Sequence, residues 1–570
     1  MRYYNKSKTL KLYAVAGTQT VLLSFDIDKK KLDSKQFLGF SIERKDKSGK
    51  LVYLNGSKRF PSLKDNPDEK IQKRSYIQSF YWQDYIADPD ETYTYTVRPM
   101  FGTALNPEEK YTNSITITTE KLHDGEHSVF FNYGVTGSQS YARNFDNKPL
   151  EDMKGKELKK AEAYLGRDLW AEGLLKFVRQ ATNSSYSIYG CFYEFHFDGF
   201  LKELKEAKKR KVDVQLIVSG KPEQYDDKVD KRSGELKHGN HSMIKKFGLT
   251  KNIKTLRTKP SQPHNKFMIL CKNGEPEQVW TGSTNITLPG IFGQCNSGHW
   301  INKKSIAKKY MEYWNSLLGD PTMSTLAKKV EAIQPDADLV QLPKGDYVFF
   351  SPRDRGTTKK PSEHLKNYAD LIDNANGLVC MVFPFNMDDV FAEVYKKDKT
   401  YLRLLLFESP SKASKVKSND TDLKVTAGQV YKGGVEKNWL KEVTAKKTTK
   451  AGILYVHNKF FILDALTDHP VVVTGSANFS NNSIRNNDEN SLLIKGNARV
   501  ADIYLTEFDR LFVHFWPRYL RELLKKKKPK KGFDSPLDET GTWHKDYFDK
   551  DKFGMKRKLL FNNMHGAKKG

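Results

Sequence analysis

Residues 457–478 read HNKFFILDALTDHPVVVTGSAN, and residues 264–285 read HNKFMILCKNGEPEQVWTGSTN. In each stretch a His and a Lys stand two residues apart and a Gly-Ser-x-Asn turn follows. The His-to-Gly separation is 475 − 457 = 18 in one and 282 − 264 = 18 in the other. A lone HxK says nothing, but HNKF followed by GS[AT]N at one spacing, twice, is an internal repeat. NKFFIL, NKFMIL, HPVVVT and EQVWT alternate or run apolar as buried strands do. Neighbouring strands of that kind bring the His and Lys beside the Gly-Ser-x-Asn turn. Each copy then offers an imidazole, an ammonium, a hydroxyl and a carboxamide, a set suited to holding and attacking a phosphoryl group. Two facing copies supply one imidazole to attack and a second to protonate a leaving oxygen.

The repeat extends outward from these stretches. HSVFFNYG from residue 127 matches DYVFFSPR from residue 346. In the first copy LLKFVRQA has helical spacing, SIYGCFYEF reads as a buried strand, FLKELKEAKKRK as an amphipathic helix and VDVQLIVSG as another strand. LKNYADLIDNA, GLVCMVFPF, DVFAEVYKK and YLRLLLFES repeat that order in the second copy. Strand, helix and strand in succession imply a mixed or parallel sheet flanked by helices, an α/β fold of two pseudo-symmetric lobes. The expected units are residues 1–122, 123–330 (lobe 1), 331–520 (lobe 2) and a basic tail over 521–570. Residues 320–345 read as the linker between lobes. Charged stretches precede both repeated motifs (KPEQYDDKVDKRSGELKHGNHS and ESPSKASKVKSNDTDLKV), where a loop shapes a site as readily as it decorates a surface.

Before the lobes, LKLYAVAG, TVLLSFDI, FLGFSIERKD, YTYTVRPMF and SITITT carry the β-branched and aromatic residues of short strands, so residues 1–122 read as an all-β sandwich. The segment YWQDYIADPDETYTYTVRPMFGT, with Tyr93 and Tyr95, resembles a fibronectin type III domain. Such a domain braces, spaces or binds a protein partner. HDGEH at 123–127 has the form of a metal-binding HxxEH string, but that chemistry needs a helix. Gly125 and the following SVFFNY indicate a turn entering a strand, and no metal site is assigned.

The chain has 570 residues, a net charge of +27 from 96 basic and 69 acidic side chains, and 38% hydrophobic residues. That is enough apolar material for several cores and excludes wholesale disorder. The charge favours a polyanionic partner, nucleic acid ahead of an anionic membrane surface. Cys191, Cys271, Cys295 and Cys380 form no CxxC pair, which fits a reducing, cytoplasmic compartment and no disulfide framework. Lys8 and Lys11 interrupt the N-terminal segment as a signal sequence, and no apolar run is long enough to insert stably in a membrane. Lys525–Lys531 with Pro529 reads as a basic arm, while Trp543 and Phe548 are expected to pack the last segment back onto the protein.

With these motifs the sequence resembles the phospholipase D superfamily, whose HxKxxxxD motif occurs once per lobe. The resemblance covers most of the chain after residue 122. It implies a phosphohistidine intermediate, with one of His264 and His457 as nucleophile and the other as acid and then base, and no metal or cofactor. It implies that Lys266, Lys459, Asn285 and Asn478 stabilise charge on the phosphoryl oxygens, with hydroxyl hydrogen bonds from Ser283 and Ser476. Asp464 completes the second HxKxxxxD, whereas Cys271 stands at that place in the first. Glu489 lies 489 − 457 = 32 positions after His457 and fits the carboxylate that orients it, and Asn296 has the same offset from His264. On that reading His457 is the more basic imidazole, since a carboxylate raises basicity and an amide only fixes the tautomer.

The superfamily includes nucleases, tyrosyl-DNA phosphodiesterases, lipases and phosphatidyl transferases. The basic charge puts a metal-independent nuclease first, with DNA ahead of RNA as partner, and the motifs stay nearest to bacterial nuclease-like members. A phospholipase or phosphatidyl transferase is the alternative, for which Phe195, Phe383 and Phe385 would form an apolar rim. A weakened nucleic-acid-binding scaffold is the third reading, resting on Cys271 and Asn296.

Overall fold

The computed structural model describes residues 1–33, 36–56, 58–146, 148–229, 234, 236–354, 361–416, 420–428, 455–525 and 536–570. Nearly all of the lysine run from 525 to 531, and residues 417–419 of the second charged stretch, lie outside the described residues.

Two seven-stranded mixed sheets form the lobes. Across the first sheet the order is His127–Phe131, Ser297–Ile301, Glu275–Gly282, Lys266–Lys272, Tyr186–Phe192, Asp213–Ser219 and Ile253–Arg257. Across the second it is Gly345–Ser351, Glu489–Lys495, Val471–Gly475, Phe460–Leu463, Val379–Phe383, Arg403–Phe407 and Leu423–Ala427. The last three strands of each sheet run parallel to one another and the remaining pairings are antiparallel. The two orders correspond strand for strand, so the repeat in sequence is a repeat in topology. Helices Asp198–Lys209, Glu363–Asp373 and Asp389–Lys396 form where the 3.6-residue period indicated. Central strands such as Arg403–Phe407 are buried throughout, as crossover connections on both faces require.

The lobes share one core. Tyr310, Tyr313 and Trp314 of helix Lys304–Ser316, and Tyr504, Phe508 and Phe512 of helix Ala498–Lys525, are buried in a single cluster with strand residues of both sheets. A buried polar chain also crosses the junction. His127 and His299 approach at 3.0 Å (Nδ1 to Nε2), and His299 Nδ1 lies 3.1 Å from the Tyr504 hydroxyl. On the other side, His127 meets Asp346 of the second lobe at 3.2 Å.

The N-terminal region is a pair of β-sheets, as the strand spacing predicted. One contains Arg2–Lys6, Leu10–Ala16, Val21–Ile27 and Tyr81–Asp84, and the other Phe37–Asp46, Thr92–Gly102 and Asn113–Thr118 with two shorter strands. Phe25, Phe40, Phe80 and Tyr95 lie in the core between them. The chain returns to this domain at its end. Trp543 stacks on Phe37 at 5.1 Å, Phe548 packs edge-on to Phe80, and Lys568–Lys569 pairs in parallel with Arg2–Lys6. Helix Ala498–Lys525 holds the sandwich against the lobes. Its Asp502 accepts from Arg2 Nε at 2.9 Å, and its Asp509 accepts from the Tyr81 hydroxyl at 2.5 Å and pairs with Arg557.

Candidate active site

Each catalytic candidate sits where a loop enters a central strand. His264 precedes Lys266–Lys272, and His457 precedes Phe460–Leu463. Before reaching its strand, each loop crosses to the opposite lobe and forms a short parallel bridge. Ser261 N donates to Asn486 O at 2.7 Å and Asp488 N to Gln262 O at 3.0 Å. In the other direction Cys295 N donates to Tyr455 O at 2.9 Å and His457 N to Cys295 O at 3.1 Å. The four side chains His264, Lys266, His457 and Lys459 are all at most 4% exposed.

These crossings exchange the orienting residues. Glu489 Oε2 lies 2.8 Å from Nδ1 of His264, and Asn296 Oδ1 lies 2.9 Å from Nδ1 of His457. The sequence offset of 32 pairs Glu489 with His457, and the structure corrects it. The carboxylate belongs to the first-lobe imidazole and the amide to the second. The expectation that His457 is the more basic therefore falls, because the backbone bridges place each His beside the strand start of the other lobe.

The serines have a different task from the expected one. Ser476 Oγ donates to Glu489 Oε2 at 2.6 Å and accepts from Asn490 N at 3.0 Å. Ser283 Oγ likewise donates to Asn296 Oδ1 at 2.8 Å and accepts from Ser297 N at 3.0 Å. They fix the orienters instead of pointing at a phosphoryl oxygen. The glycine before each serine is needed for this. Gly475 has φ +152, and a Cβ there would stand 2.2 Å from Asn490 O.

Asp464 is corrected as well. It sits beyond the far end of the strand that His457 precedes and accepts from the backbone N–H groups of Asn376 (3.0 Å) and Gly377, so it braces a turn away from the imidazoles. Cys271 occupies the corresponding end of its strand, fully buried. Its presence leaves the first-lobe site intact.

The electrostatics are those of an anion site. Lys266 Nζ donates to His264 O at 2.7 Å, and Lys459 Nζ to His457 O at 2.9 Å, with the latter also 3.1 Å from His457 Nε2. Burial pushes Lys266 down to about 8 and, with the repulsion of Lys266, holds Lys459 well below the usual amine range. Burial and the flanking ammoniums depress both imidazoles. Burial raises the Glu489 carboxyl to about 7 against the pull of Lys266. Burial therefore works against charge on both partners of the His264–Glu489 pair.

Several participants carry no motif. The Tyr193 ring meets His264 edge-on at 5.0 Å and lies under Lys266 Nζ at 5.3 Å, and Gln224 of the first charged stretch donates to its hydroxyl at 2.8 Å. Glu194 accepts from Asn285 Nδ2. Glu408, buried and raised to about 7 by that burial, accepts from Tyr455 N and Val456 N just before His457. The one available sequence signal was their position at or just after the end of a predicted strand. Asn285 and Asn478 each keep a buried Oδ1 without a partner.

HDGEH does form a turn entering a strand. Glu126, His127 and Asp346 converge closely enough to share a cation, but Lys303 Nζ already joins Glu126 (2.9 Å) and Asp346 (2.7 Å). Among the described residues no helix is long and apolar enough to cross a membrane.

Comparison with known proteins agrees with the duplicated topology. Residues 177–318 and 382–512 match the family described as cardiolipin synthase, PLD-like domain. Over 63 residues the chain is 38% identical to the mitochondrial cardiolipin hydrolases of Mus musculus and Canis lupus familiaris, which is 11% of this chain. It spans only about a quarter of the length of these curated relatives (26% and 23%). Among solved structures, phosphatidylserine synthase from Haemophilus influenzae Rd KW20 aligns with a TM-score of 0.40 and 12% identity, over 68% of this chain and 92% of that one. The yeast tyrosyl-DNA phosphodiesterase aligns with a TM-score of 0.30 and 12% identity, over 54% and 82%. With the PLD-like domain matched once in each of two facing lobes, this chain has the two-lobed, phospholipase D-like fold.

Proposed function

We propose that the chain hydrolyses phosphodiester bonds of nucleic acid, DNA ahead of RNA, with His264 as nucleophile and His457 as general acid and base. The observation that carries this reading is the unequal orientation of the two imidazoles by Glu489 and Asn296. Donating Nδ1–H to a carboxylate leaves the His264 Nε2 lone pair free and stabilises the positive imidazole ring formed on attack. Asn296 Oδ1 holds a proton on His457 Nδ1, so Nε2 carries one only in the doubly protonated ring. An amide sustains that ring less than a carboxylate does, so it gives its Nε2 proton up readily.

In the first step His264 Nε2 bonds to phosphorus while the bond from phosphorus to the leaving oxygen breaks, and His457 Nε2 donates its proton to that oxygen. Water then gives a proton to His457 Nε2 and attacks phosphorus, the P–N bond breaks, and both imidazoles are restored. Lys266, Lys459, Asn285 and Asn478 take the charge on the non-bridging oxygens. A bound phosphate relieves the repulsion between the two buried lysines.

Charge and the rim support this substrate class. A net charge of +27 suits a polyanion. Of the three phenylalanines suggested as a lipid-facing rim, Phe195 and Phe383 are fully buried, stacked on Phe192 and Phe407. The second reading, a phospholipid substrate, is favoured by the cardiolipin-related names of the matched family and relatives.

Cleavage of single- and double-stranded DNA and RNA in EDTA tests both. Cleavage that persists in chelator and disappears in His264→Ala and His457→Ala is the expected result. With the nucleophile as assigned, His457→Ala traps a phosphorylated enzyme on a substrate with a good leaving group, and His264→Ala does not. Release of headgroup from cardiolipin-containing vesicles, with no nucleic acid cut, would instead establish the lipid reading.

A further inference from the structure

The two walls of the cleft differ at one structurally equivalent place. Phe192 pairs with Lys266 in the first sheet, and Met381 with Phe461 in the second, so continuing that register sets Phe383 across from Lys459. Tyr193-Glu194 and Pro384-Phe385 are therefore counterparts. In lobe 1 the pair lies at the site, with Tyr193 against His264 and Glu194 on Asn285. In lobe 2 the same place carries Phe385, a residue 37% exposed. Lys412 Nζ stands 5.1 Å from the ring centroid and donates to Pro384 O at 3.2 Å, fixing the turn that carries the ring. Among the described residues no carboxylate meets the amide of Asn478, the counterpart of Asn285, and its Oδ1 is without a partner.

We propose that Phe385, backed by Lys412, is the platform on which a base of the bound strand stacks beside the scissile phosphate, so that the strand enters along the second lobe. The proposal rests on the nucleic-acid reading above. A partly exposed aromatic ring with an ammonium near it suits a ligand that presents a flat π-face and an anion together, and a nucleotide presents both. An acyl chain gains nothing from the ammonium, which would lose hydration beside it. Glu194 on the opposite wall repels a second phosphate at that place, which gives the strand a single favoured polarity through the cleft.

The test uses the full chain on a single-stranded oligonucleotide and on versions with one abasic position moved stepwise past the cut. Phe385→Ala should lower kcat/KM on the intact strand by about 5- to 150-fold, the range of one lost base stack, and Phe385→Trp should restore it. At one abasic position the unmodified chain should fall to the level of Phe385→Ala, which suffers no further loss there. Phe385→Ala that cleaves the intact strand normally, or that is impaired equally at every abasic position, overturns the platform alone. If the unmodified chain cuts no nucleic acid, the proposed function falls and the platform with it.

Discussion

Glu489 and Asn296 hold the same position in the two halves of the repeat and give the two imidazoles different partners, a carboxylate and an amide. With Glu489 raised to about 7 and Lys266 lowered to about 8, both are charged only in a narrow window. Activity should rise as pH passes about 7, where the carboxylate forms, and fall above about 8, where the ammonium is lost. Glu489→Gln should cost about 10- to 100-fold in kcat and remove the acid limb, read from pH–rate profiles of both proteins. The linkage to stability has the opposite sense. The native carboxyl holds its proton more tightly than the unfolded one, whose ordinary value is 4.5, so its stabilising contribution is full below that value. That contribution is lost as pH rises through about 7, and the catalytically useful ionisation is the destabilising one. The residue types of the site were legible because HxK and GSxN recur at fixed spacing. The Glu489–His264 pairing was not, since an offset along the chain carries no information about which lobe a loop leans on.

At the scale of elements, strands and helices followed their periodicities closely, and what escaped was the set of bridges between them. Arg257 shows why. It ends an edge strand of lobe 1, yet it donates to Asp488 of lobe 2 from Nε at 2.7 Å and Nη2 at 3.2 Å, and from Nη1 to Asp320 at 2.7 Å. Nothing in the string TLRTKP marks a buried arginine, because its partners stand 63 and 231 residues away. The pair pins the segment whose next residue is Glu489. Arg257→Met leaves the buried Asp488 carboxyl uncompensated and should lower unfolding free energy by about 3–5 kcal/mol. Urea denaturation measures this, and Arg257→Met combined with Asp488→Asn should recover part of the loss. A wild-type midpoint in Arg257→Met would show that the pin is dispensable.

At the scale of the whole molecule, helix Ala498–Lys525 joins the sandwich to both lobes through side chains that the composition counted only as charge. Asp509→Leu strands the Arg557 guanidinium, which burial alone would disfavour and which Asp509 now sustains. The expected outcome is about 3–5 kcal/mol of lost stability, with proteolysis first releasing residues before 123 and phosphodiesterase activity surviving in the lobes. Parallel loss of activity would instead make the sandwich part of the working enzyme. The crossed bridges have a further consequence. If either half of the repeat stood alone, its histidine would lack an orienter, but two identical halves related by a two-fold axis would supply one another's. The present chain has the geometry of such a pair joined end to end. Joining freed the two copies to diverge, and one orienting position now carries a carboxylate while the other carries an amide. A symmetric pair of identical subunits cannot hold that difference, on which the proposed assignment of attacker and proton donor rests.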